Sequence, residues 1–392
     1  MLTADQTAII KATVPILETG GEALTTHFYK IMLGEYPQVR PLFNQAHQAS
    51  GAQPRALANG VLIYAKNIDR LQELGPLAAQ IVNKHVALQV LPEHYPIVGA
   101  CLLRAIREVL GADIATDAVI DAWAAAYQQL ADLLIGAERD LYDKLVAAPG
   151  GWRGARAFRV TRKQVESTEI TSFHLEPADS EPVLDFTPGQ YLGLRLFIDG
   201  QEVRRNYSLS AAPNGRSYRI SVKREPGGLA SNFLHDQVKE GDTLDIFPPA
   251  GEFVLQDSPS PLVLISGGVG ITPTLAIAEA TLAKGDREVI FLHYARNRNA
   301  YAFGKTLEDW AARHARFRHF TVLENGGESE AHALGRPVIE HLQNWLPAEL
   351  DCDVYFLGPK PFMAAIKRFL SALGLPDTRR RYEFFGPEEA LD

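Results

Sequence analysis

The spacing of apolar residues changes twice along this chain of 392 residues, and each change indicates a different kind of fold. Up to residue 147 the apolar residues recur at steps of three and four, which predicts helices. From about residue 152 the period falls to two, as in residues 217–223, which predicts strands. From about residue 260 short apolar strands alternate with helical stretches, which is typical of a parallel α/β sheet.

We therefore expect three domains: an all-α domain over 1–147, an antiparallel β-barrel over 152–256 and an α/β domain over 260–392. The run at residues 148–151, Ala-Pro-Gly-Gly, is typical of a domain boundary. No internal repeat or low-complexity tract interrupts this order.

Composition narrows the possible functions. A formal net charge of −8 disfavours nucleic acid as a partner, and no apolar run is long enough to predict stable membrane insertion. The N-terminus lacks the apolar core of a signal peptide. The two cysteines, Cys101 and Cys352, are too few for a disulfide framework, a thiolate zinc site or an iron–sulfur cluster. We expect a cytoplasmic protein, with a monomer as the default.

Two titratable side chains lie in predicted apolar helix faces. His85 shares a face with Ile81 and Leu88, where a histidine is either a core residue with its hydrogen bonds satisfied or a ligand. Glu138 shares another face with Leu134, and a carboxylate is costly to bury there without a partner. Glu138 therefore either reaches solvent at the helix end or accepts the N–H of an imidazole.

Polar residues on two further helices are ambiguous when taken singly. Gln53 and Leu57 lie on one helix face, and Tyr29 follows Phe28 on an earlier helix. Residues 1–147 nevertheless resemble the globin domain of the bacterial flavohaemoglobins, or flavohemoproteins. The resemblance rests on six motifs: Phe28-Tyr29, residues 41–44, residues 53–57, residues 83–85, residues 92–96 and Glu138.

This resemblance implies that His85 binds the iron of haem b, with Tyr95 and Glu138 as a hydrogen-bonded relay behind it. It also implies that Tyr29, Gln53 and Leu57 form the distal pocket on the other side of the haem. Phe43 would wedge the haem. A carboxylate that accepts the His85 N–H would make the imidazole a stronger donor to iron, which favours oxygen activation. The Tyr29 hydroxyl would donate to bound oxygen.

Two motifs in the second domain resemble the flavin site of the ferredoxin–NADP reductase superfamily: Pro-Gly-Gln-Tyr at 188–191 and Arg-Asn-Tyr-Ser at 205–208. Arg205 would supply a charge for the FAD pyrophosphate, Tyr207 an aromatic surface and Ser208 a donor to the flavin ring. Residues 227–232 are expected to form a second phosphate-binding loop. The candidate FAD residues are Tyr191, Arg205, Asn206, Tyr207, Ser208, Gly228 and Ser231.

A glycine-rich turn at residues 266–273 follows a predicted strand and begins a helix, which is typical of phosphate binding. It lacks the GxGxxG spacing and matches the reductase superfamily instead. The candidate NADH or NADPH residues are Gly268, Val269, Gly270, Ile271, Thr272 and Pro273. Relatives often carry Cys before the later Gly358-Pro359, but this chain has Leu357, which questions cysteine-assisted hydride transfer.

The C-terminal residues 382–387 resemble the aromatic cover of the flavin in that superfamily. Its candidate residues are Phe384, Phe385, Gly386 and Pro387. Lys84 and Glu383 are expected to set the electrostatics between flavin and haem, with ordinary surface charge as the alternative.

The resemblance covers essentially the whole chain and implies a nitric oxide dioxygenase. NAD(P)H would reduce FAD, FAD would reduce the haem, and ferrous haem with oxygen would convert nitric oxide to nitrate. Two alternatives stay open: a reductase of alkyl hydroperoxides, quinones or ferric chelates, and an oxygen-binding or sensing globin with its own reductase. The preference between NADH and NADPH, where Arg296 and Arg298 bear on a 2′-phosphate, and lipid binding in the distal pocket stay open as well.

Overall fold

The computed structural model describes residues 2–44, 48–327, 331–386 and 391. Contacts within it divide the chain into two units. The first unit runs to Ala147 and also contains the later segment Asp199–Arg205 and Gly386, whereas the second contains most of the chain from Ala148 onward.

The first unit is helical, as the three- and four-residue spacing predicts. Helix α1 begins after Thr3, whose side chain and that of Gln6 cap each other's backbone N–H groups. Gly51, with φ of +72°, precedes α2. The helices are α1 (Ala4–Glu35), α2 (Ala52–Lys66), α3 (Gly75–Leu88), α4 (His94–Leu110) and α5 (Asp117–Ala147).

Helix α3 begins with Pro76 in its first turn, where the missing N–H of proline costs nothing. It ends at Leu88 and is followed by Gln89, a non-glycine residue with φ of +58° whose side chain donates to the Val86 carbonyl at 2.8 Å. Only the face that carries Val82 and Val86 is buried, whereas Ile81 and His85 remain partly exposed. The helix therefore presents the predicted stripe of His85 away from the tightly packed side.

After residue 147 the chain first forms an antiparallel sheet whose strand order is β4-β3-β6-β1-β2-β5, and this sheet belongs to the second unit except for residues 201–205. Its strands are β1 (Arg156–Val165), β2 (Ile170–Pro177), β3 (Tyr191–Ile198), β4 (Gln201–Ser208), β5 (Tyr218–Lys223) and β6 (Thr243–Ile246). A bridge between Leu209, directly after β4, and Ile220 of β5 links the two outer strands and closes the sheet into a barrel, as predicted. A short helix, α6 (Leu229–Asp236), follows β5.

The rest of the second unit is a parallel sheet of strand order β10-β9-β8-β7-β11-β12, with helices between its strands. The strands are β7 (Leu262–Gly267), β8 (Val289–Ala295), β9 (Phe317–Leu323), β10 (Ala333–Leu334), β11 (Asp353–Leu357) and β12 (Arg380–Tyr382). The helices are α7 (Ile271–Lys284), α8 (Gly304–Arg313), α9 (Ile339–Trp345) and α10 (Lys360–Ala372). Apolar clusters cover both faces of this sheet, so its central strands are buried throughout.

Every helix in the described part of the chain is too short or too polar to cross a bilayer.

Candidate functional site

A buried carboxylate lies behind the ring of His85. Glu138, on α5, is only 2 % exposed, so it does not reach solvent at the helix end. Its Oε1 lies 2.6 Å from His85 Nδ1 and 2.5 Å from the Tyr95 hydroxyl oxygen. A carboxylate accepts hydrogen bonds only, so both neighbours donate to it. The structure thus brings together the three residues of the predicted relay.

The hydrogen bond to Glu138 determines the tautomer of His85. Because Nδ1 must carry the proton that Glu138 accepts, the neutral ring has its lone pair on Nε2. Nε2 makes no hydrogen bond to any residue that the structure describes, and the side chain is 32 % exposed. A histidine oriented by a carboxylate through one nitrogen, with the other nitrogen available, has the donor geometry that a metal requires.

Tyr29 lies on α1 and is buried, with its ring in edge contact with those of Phe28 and Phe43 at centroid distances of 4.8 and 5.5 Å. Burial raises the pKa of Tyr29, and the neighbouring Gln53 side chain opposes this shift by hydrogen bonding. The hydroxyl therefore keeps its proton at neutral pH and can act as a donor. Leu57 packs against the same apolar cluster.

Gln53 has a buried Oε1 that lacks a hydrogen-bond partner among the described residues. Buried polar atoms are normally paired, so an orphaned acceptor beside a buried hydroxyl indicates a site for a polar ligand. The apolar Phe43 and Leu57 with the polar Tyr29 and Gln53 on one side, and His85 Nε2 on another helix, fit a haem with a small ligand.

Shared apolar residues connect the side of the site that contains His85 and Tyr95 with the side that contains Tyr29. Leu88, one turn after His85 on α3, packs against the cluster that contains Tyr29, and Val90 packs against both this cluster and that of Tyr95. The proximal and distal candidates therefore border a common core.

Sequence reasoning missed several residues that orient this site. The Thr25 hydroxyl donates to the Pro54 carbonyl at 2.7 Å, which ties α1 to the first turn of α2 beside Gln53. The Tyr142 hydroxyl donates to the Val90 carbonyl at 3.0 Å, just beyond α3. Their only signal in the sequence is a polar group in an apolar stripe, which does not reveal a partner.

The remaining two charged candidates lie in different units. Lys84, next to His85, places Nζ 3.3 Å from the carbonyl oxygen of Gly386, within the first unit. Glu383 lies in the second unit. Burial raises the pKa of Tyr191, and the negative charge of Glu383 adds to this shift. Their proposed electrostatic role stays a prediction.

The two flavin motifs meet in the barrel. The backbone N–H of Leu209, directly after the Arg-Asn-Tyr-Ser motif, donates to the Gln190 carbonyl at 2.9 Å. Gly189, with φ of +108°, leaves no room for a side chain, since a Cβ would lie 1.9 Å from the Phe253 carbonyl oxygen. Arg205, Tyr207 and Ser208 are partly exposed and Asn206 is exposed, so all four can reach a ligand.

The second predicted phosphate loop leads into α6. Gly227 has φ of +70°, and a Cβ on Gly228 would lie 2.6 Å from the Ser231 Oγ. The Ser231 hydroxyl accepts from the backbone N–H of Glu225 at 3.2 Å, which fixes the loop. An arginine together with a glycine loop at a helix start fits the phosphates of FAD.

The glycine-rich turn connects β7 to α7, as predicted. Gly268 and Val269 are partly exposed, whereas the other four candidates are buried residues: Gly270, Ile271, Thr272 and Pro273. A Cβ on Gly270 would lie 2.4 Å from the Leu357 carbonyl oxygen, so this turn and the start of the Gly358-Pro359 turn touch. Ligand contacts from the four buried positions would therefore use backbone groups.

Leu357 is 1 % exposed and packs in the apolar cluster beneath α7. The side chain at this position is thus a core residue in this chain, and the packing role survives the loss of cysteine. Phe384 is partly buried against the cluster on the other face of the sheet, whereas Phe385 is 47 % exposed. Gly386 is the last described residue of the aromatic motif, and the candidate Pro387 lies outside the described residues.

Comparison with known families defines the class of protein. Residues 26–134 match the family model described as globin. Residues 157–255 match the oxidoreductase FAD-binding domain and residues 264–368 the oxidoreductase NAD-binding domain. The chain is an oxidoreductase that joins a globin to a flavin- and nicotinamide-binding module, which confirms the predicted fold.

Similar proteins define the family more narrowly. A flavohemoprotein from Pseudomonas aeruginosa is 66 % identical, and the alignment covers all of both chains. A flavohemoglobin from Malassezia yamatoensis, solved with bound FAD and haem, has a TM-score of 0.86 at 28 % identity and covers 98 % of this chain and all of its own. The FAD/NAD-binding domain of a nitric oxide dioxygenase from Vibrio cholerae has a TM-score of 0.56 at 38 % identity, and covers 60 % of this chain and all of its own.

The chain belongs to the flavohemoprotein family. The predicted cofactors, haem, FAD and a nicotinamide dinucleotide, are confirmed by its domains.

Proposed function

We propose that this protein is an NAD(P)H-dependent nitric oxide dioxygenase that converts nitric oxide and oxygen to nitrate. The observation that carries the proposal is the buried contact of Glu138 with both His85 and Tyr95, on the same chain as a reductase module. When bound, haem supplies oxygen chemistry, and FAD converts the two-electron reduction by nicotinamide into single electrons.

On the proximal side, His85 would bind the iron through Nε2. Glu138 holds the Nδ1 proton and prevents the ring from rotating, while Tyr95 donates a second hydrogen bond to the same carboxylate oxygen. Burial raises the pKa of Tyr95, and the hydrogen bond to Glu138 adds to the shift, so the phenol stays protonated. The increased basicity of the imidazole favours oxygen activation over reversible storage.

On the distal side, Tyr29 would donate a hydrogen bond to the oxygen ligand. Gln53 would orient this hydroxyl, and Leu57 and Phe43 would exclude water from the apolar wall. A charge-assisted hydrogen bond is stronger than one between neutral groups, so the donor stabilises a polarised ligand preferentially.

In the reductase module, side-chain exposure and backbone geometry support the roles of the candidate FAD- and nicotinamide-binding residues. Arg205 and the loop before α6 would bind the FAD phosphates, and Tyr207 and Ser208 the flavin and ribityl region. The turn at Gly268 would bind the phosphates of the nicotinamide dinucleotide at the start of α7.

The domain limits 1–147, 152–256 and 260–392 are part of the proposal. Because the reductant is a nicotinamide, we propose a cytoplasmic location.

The test is a coupled assay with the purified, haem- and FAD-loaded protein. Electron balance requires that one NADH support the conversion of two nitric oxide and two oxygen molecules to two nitrates. We expect nitric oxide consumption that depends on both NADH and oxygen and yields nitrate at this ratio. NADH oxidation coupled to an alkyl hydroperoxide, with no nitrate formed from nitric oxide, would instead establish the reductase alternative. Tight, slow-releasing oxygen binding without turnover would establish the sensor alternative.

A further inference from the structure

The last turn of α3 contains His85, and the carbonyl groups at this end need partners from outside the helix. The final carbonyls of any α-helix lack intrahelical partners. Here the His85 carbonyl accepts from the Val90 N–H at 2.9 Å, and the Val86 carbonyl accepts from Gln89. The carbonyls of Leu88 and Gln89 come next, where the chain leaves the helix at positive φ.

Arg204 supplies these partners from a distant part of the chain. Its Nη1 lies 2.5 Å from the Leu88 carbonyl oxygen and 3.3 Å from that of Gln89. Its Nε donates to Glu202 at 2.6 Å, so a carboxylate holds the guanidinium in place. The segment Asp199–Arg205 belongs to the first unit, and the Arg204 side chain is 17 % exposed.

The chemistry of this contact is specific to arginine. A guanidinium presents several donors in a fixed plane, so one group can bind two adjacent carbonyls and a carboxylate together. A positive charge at a helix C-terminus is also favoured by the helix dipole. Arg204 therefore stabilises the turn by both geometry and charge.

Other contacts anchor the following residues to the same unit. Tyr142 donates to the Val90 carbonyl, and His94 Nδ1 accepts from the Leu91 N–H at 2.9 Å. The carbonyls of Leu88 and Gln89 lie between His85 and these anchors along the chain. Among the described residues outside α3, Arg204 is the one whose side chain binds them.

We propose that Arg204 is a positioning residue for His85. By holding the last turn of α3, it sets the tilt of the helix and thereby the direction of His85 Nε2 toward the iron. The inference rests on the proposed role of His85 as the haem ligand. Because Arg204 binds the carbonyls of Leu88 and Gln89, it would act through the helix backbone. Its neighbour in the strand, Arg205, is the candidate FAD ligand and donates to the Arg204 carbonyl at 2.6 Å.

The test uses the full-length protein loaded with haem and FAD, and measures the iron–histidine stretching band of the ferrous, ligand-free form by resonance Raman spectroscopy. We expect a shifted or broadened band in Arg204→Ala and about tenfold faster haem loss to excess apomyoglobin, since groups behind a metal ligand change metal affinity by about 10- to 100-fold. Arg204→Lys keeps the charge but not the planar fork, and Glu202→Gln keeps the arginine but loosens it, so both should shift the band less.

Arg40 provides a matched control. It donates from Nε to the Leu33 carbonyl at 2.7 Å and from Nη2 to that of Gly34 at 3.1 Å, so it holds the end of α1 in the same manner. Arg40→Ala should leave the iron–histidine band unchanged. An unchanged band in Arg204→Ala, or an equal shift in Arg40→Ala, would overturn the positioning role. If the wild-type protein showed no iron–histidine band, or His85→Ala retained it, the assignment of His85 as ligand would fail instead.

Discussion

His85 and His293 both lie among apolar residues with one ring nitrogen hydrogen-bonded, yet their surroundings differ in two respects. His85 shares its Nδ1 proton with the carboxylate of Glu138, and about a third of its side chain is exposed. His293, on β8, is 1 % exposed, pairs with the neutral hydroxyl of Ser266 at 2.8 Å and stacks on Tyr301.

This difference distinguishes the proposed iron ligand from a structural residue. A carboxylate makes an imidazole more basic and fixes its free nitrogen, while partial exposure lets that nitrogen reach a partner. A hydroxyl neighbour adds little charge, and complete enclosure lowers the pKa of His293 to about 3, so the ring stays neutral at physiological pH. Burial alone therefore does not mark a functional histidine, whereas the partner of its second nitrogen does.

The largest expected contrast comes from replacing each histidine with alanine. His85→Ala should weaken haem ligation by more than about 100-fold, because even changes to groups behind a ligand cost about 10- to 100-fold. His293→Ala should destabilise the second unit but leave the haem Soret band intact. The check is the ratio of Soret to flavin absorbance in the purified proteins. A full Soret band in His85→Ala would show that this histidine too is a core residue.

Replacement of the carboxylate sharpens the comparison. Glu138→Gln keeps the shape but removes the charge, so we expect a lower iron–histidine frequency and about 10- to 100-fold lower turnover with nitric oxide. The matched control is Glu108→Gln, since Glu108 contacts His27 at the same 2.6 Å distance but in an exposed pair. If both variants lost turnover equally, the effect would come from the loss of any His–Glu contact, and Glu138 would have no special role behind the haem.

The sequence predicted the individual helices and strands better than the contacts between residues that are distant along the chain. The period of two over residues 217–223 correctly predicted a strand, in which Tyr218, Ile220 and Val222 are buried because burial follows the period of the pleat. The place of Glu138 in an apolar helix stripe left two alternatives, and its burial against His85 favours the one in which it accepts the N–H of an imidazole. By contrast, the contacts of Arg204 with Leu88 and Gln89 join positions more than a hundred residues apart, and no local pattern reports such a pairing. The closure of the barrel at Leu209 and Ile220 was predicted only as a fold class.

The distal side offers a second test of local partners. Tyr29→Phe removes the proposed donor to oxygen, so oxygen release should be about 10- to 100-fold faster, as expected for the loss of a hydrogen bond worth about 1.5–3 kcal/mol. The measurement is the dissociation rate of the oxygenated protein after rapid mixing. Tyr64→Phe is the control, because Tyr64 is also buried but donates to the Ala126 carbonyl at 2.8 Å. It should lose about 1 kcal/mol of stability and leave oxygen release unchanged.

The smallest expected effect is the pH dependence that His293 gives to folding. Its pKa is about 3 when folded and near the model-peptide value of 6.5 when unfolded, so below about pH 6.5 the unfolded chain binds one more proton. Stability is therefore full above pH 6.5 and falls by at most about 1.4 kcal/mol for each pH unit between 6.5 and 3. His293→Asn should flatten the decrease of the urea midpoint of the second unit between pH 7 and 4.5. A slope that stays unchanged in His293→Asn would show that other groups cause the loss, and the contrast between the two histidines would then rest on exposure alone.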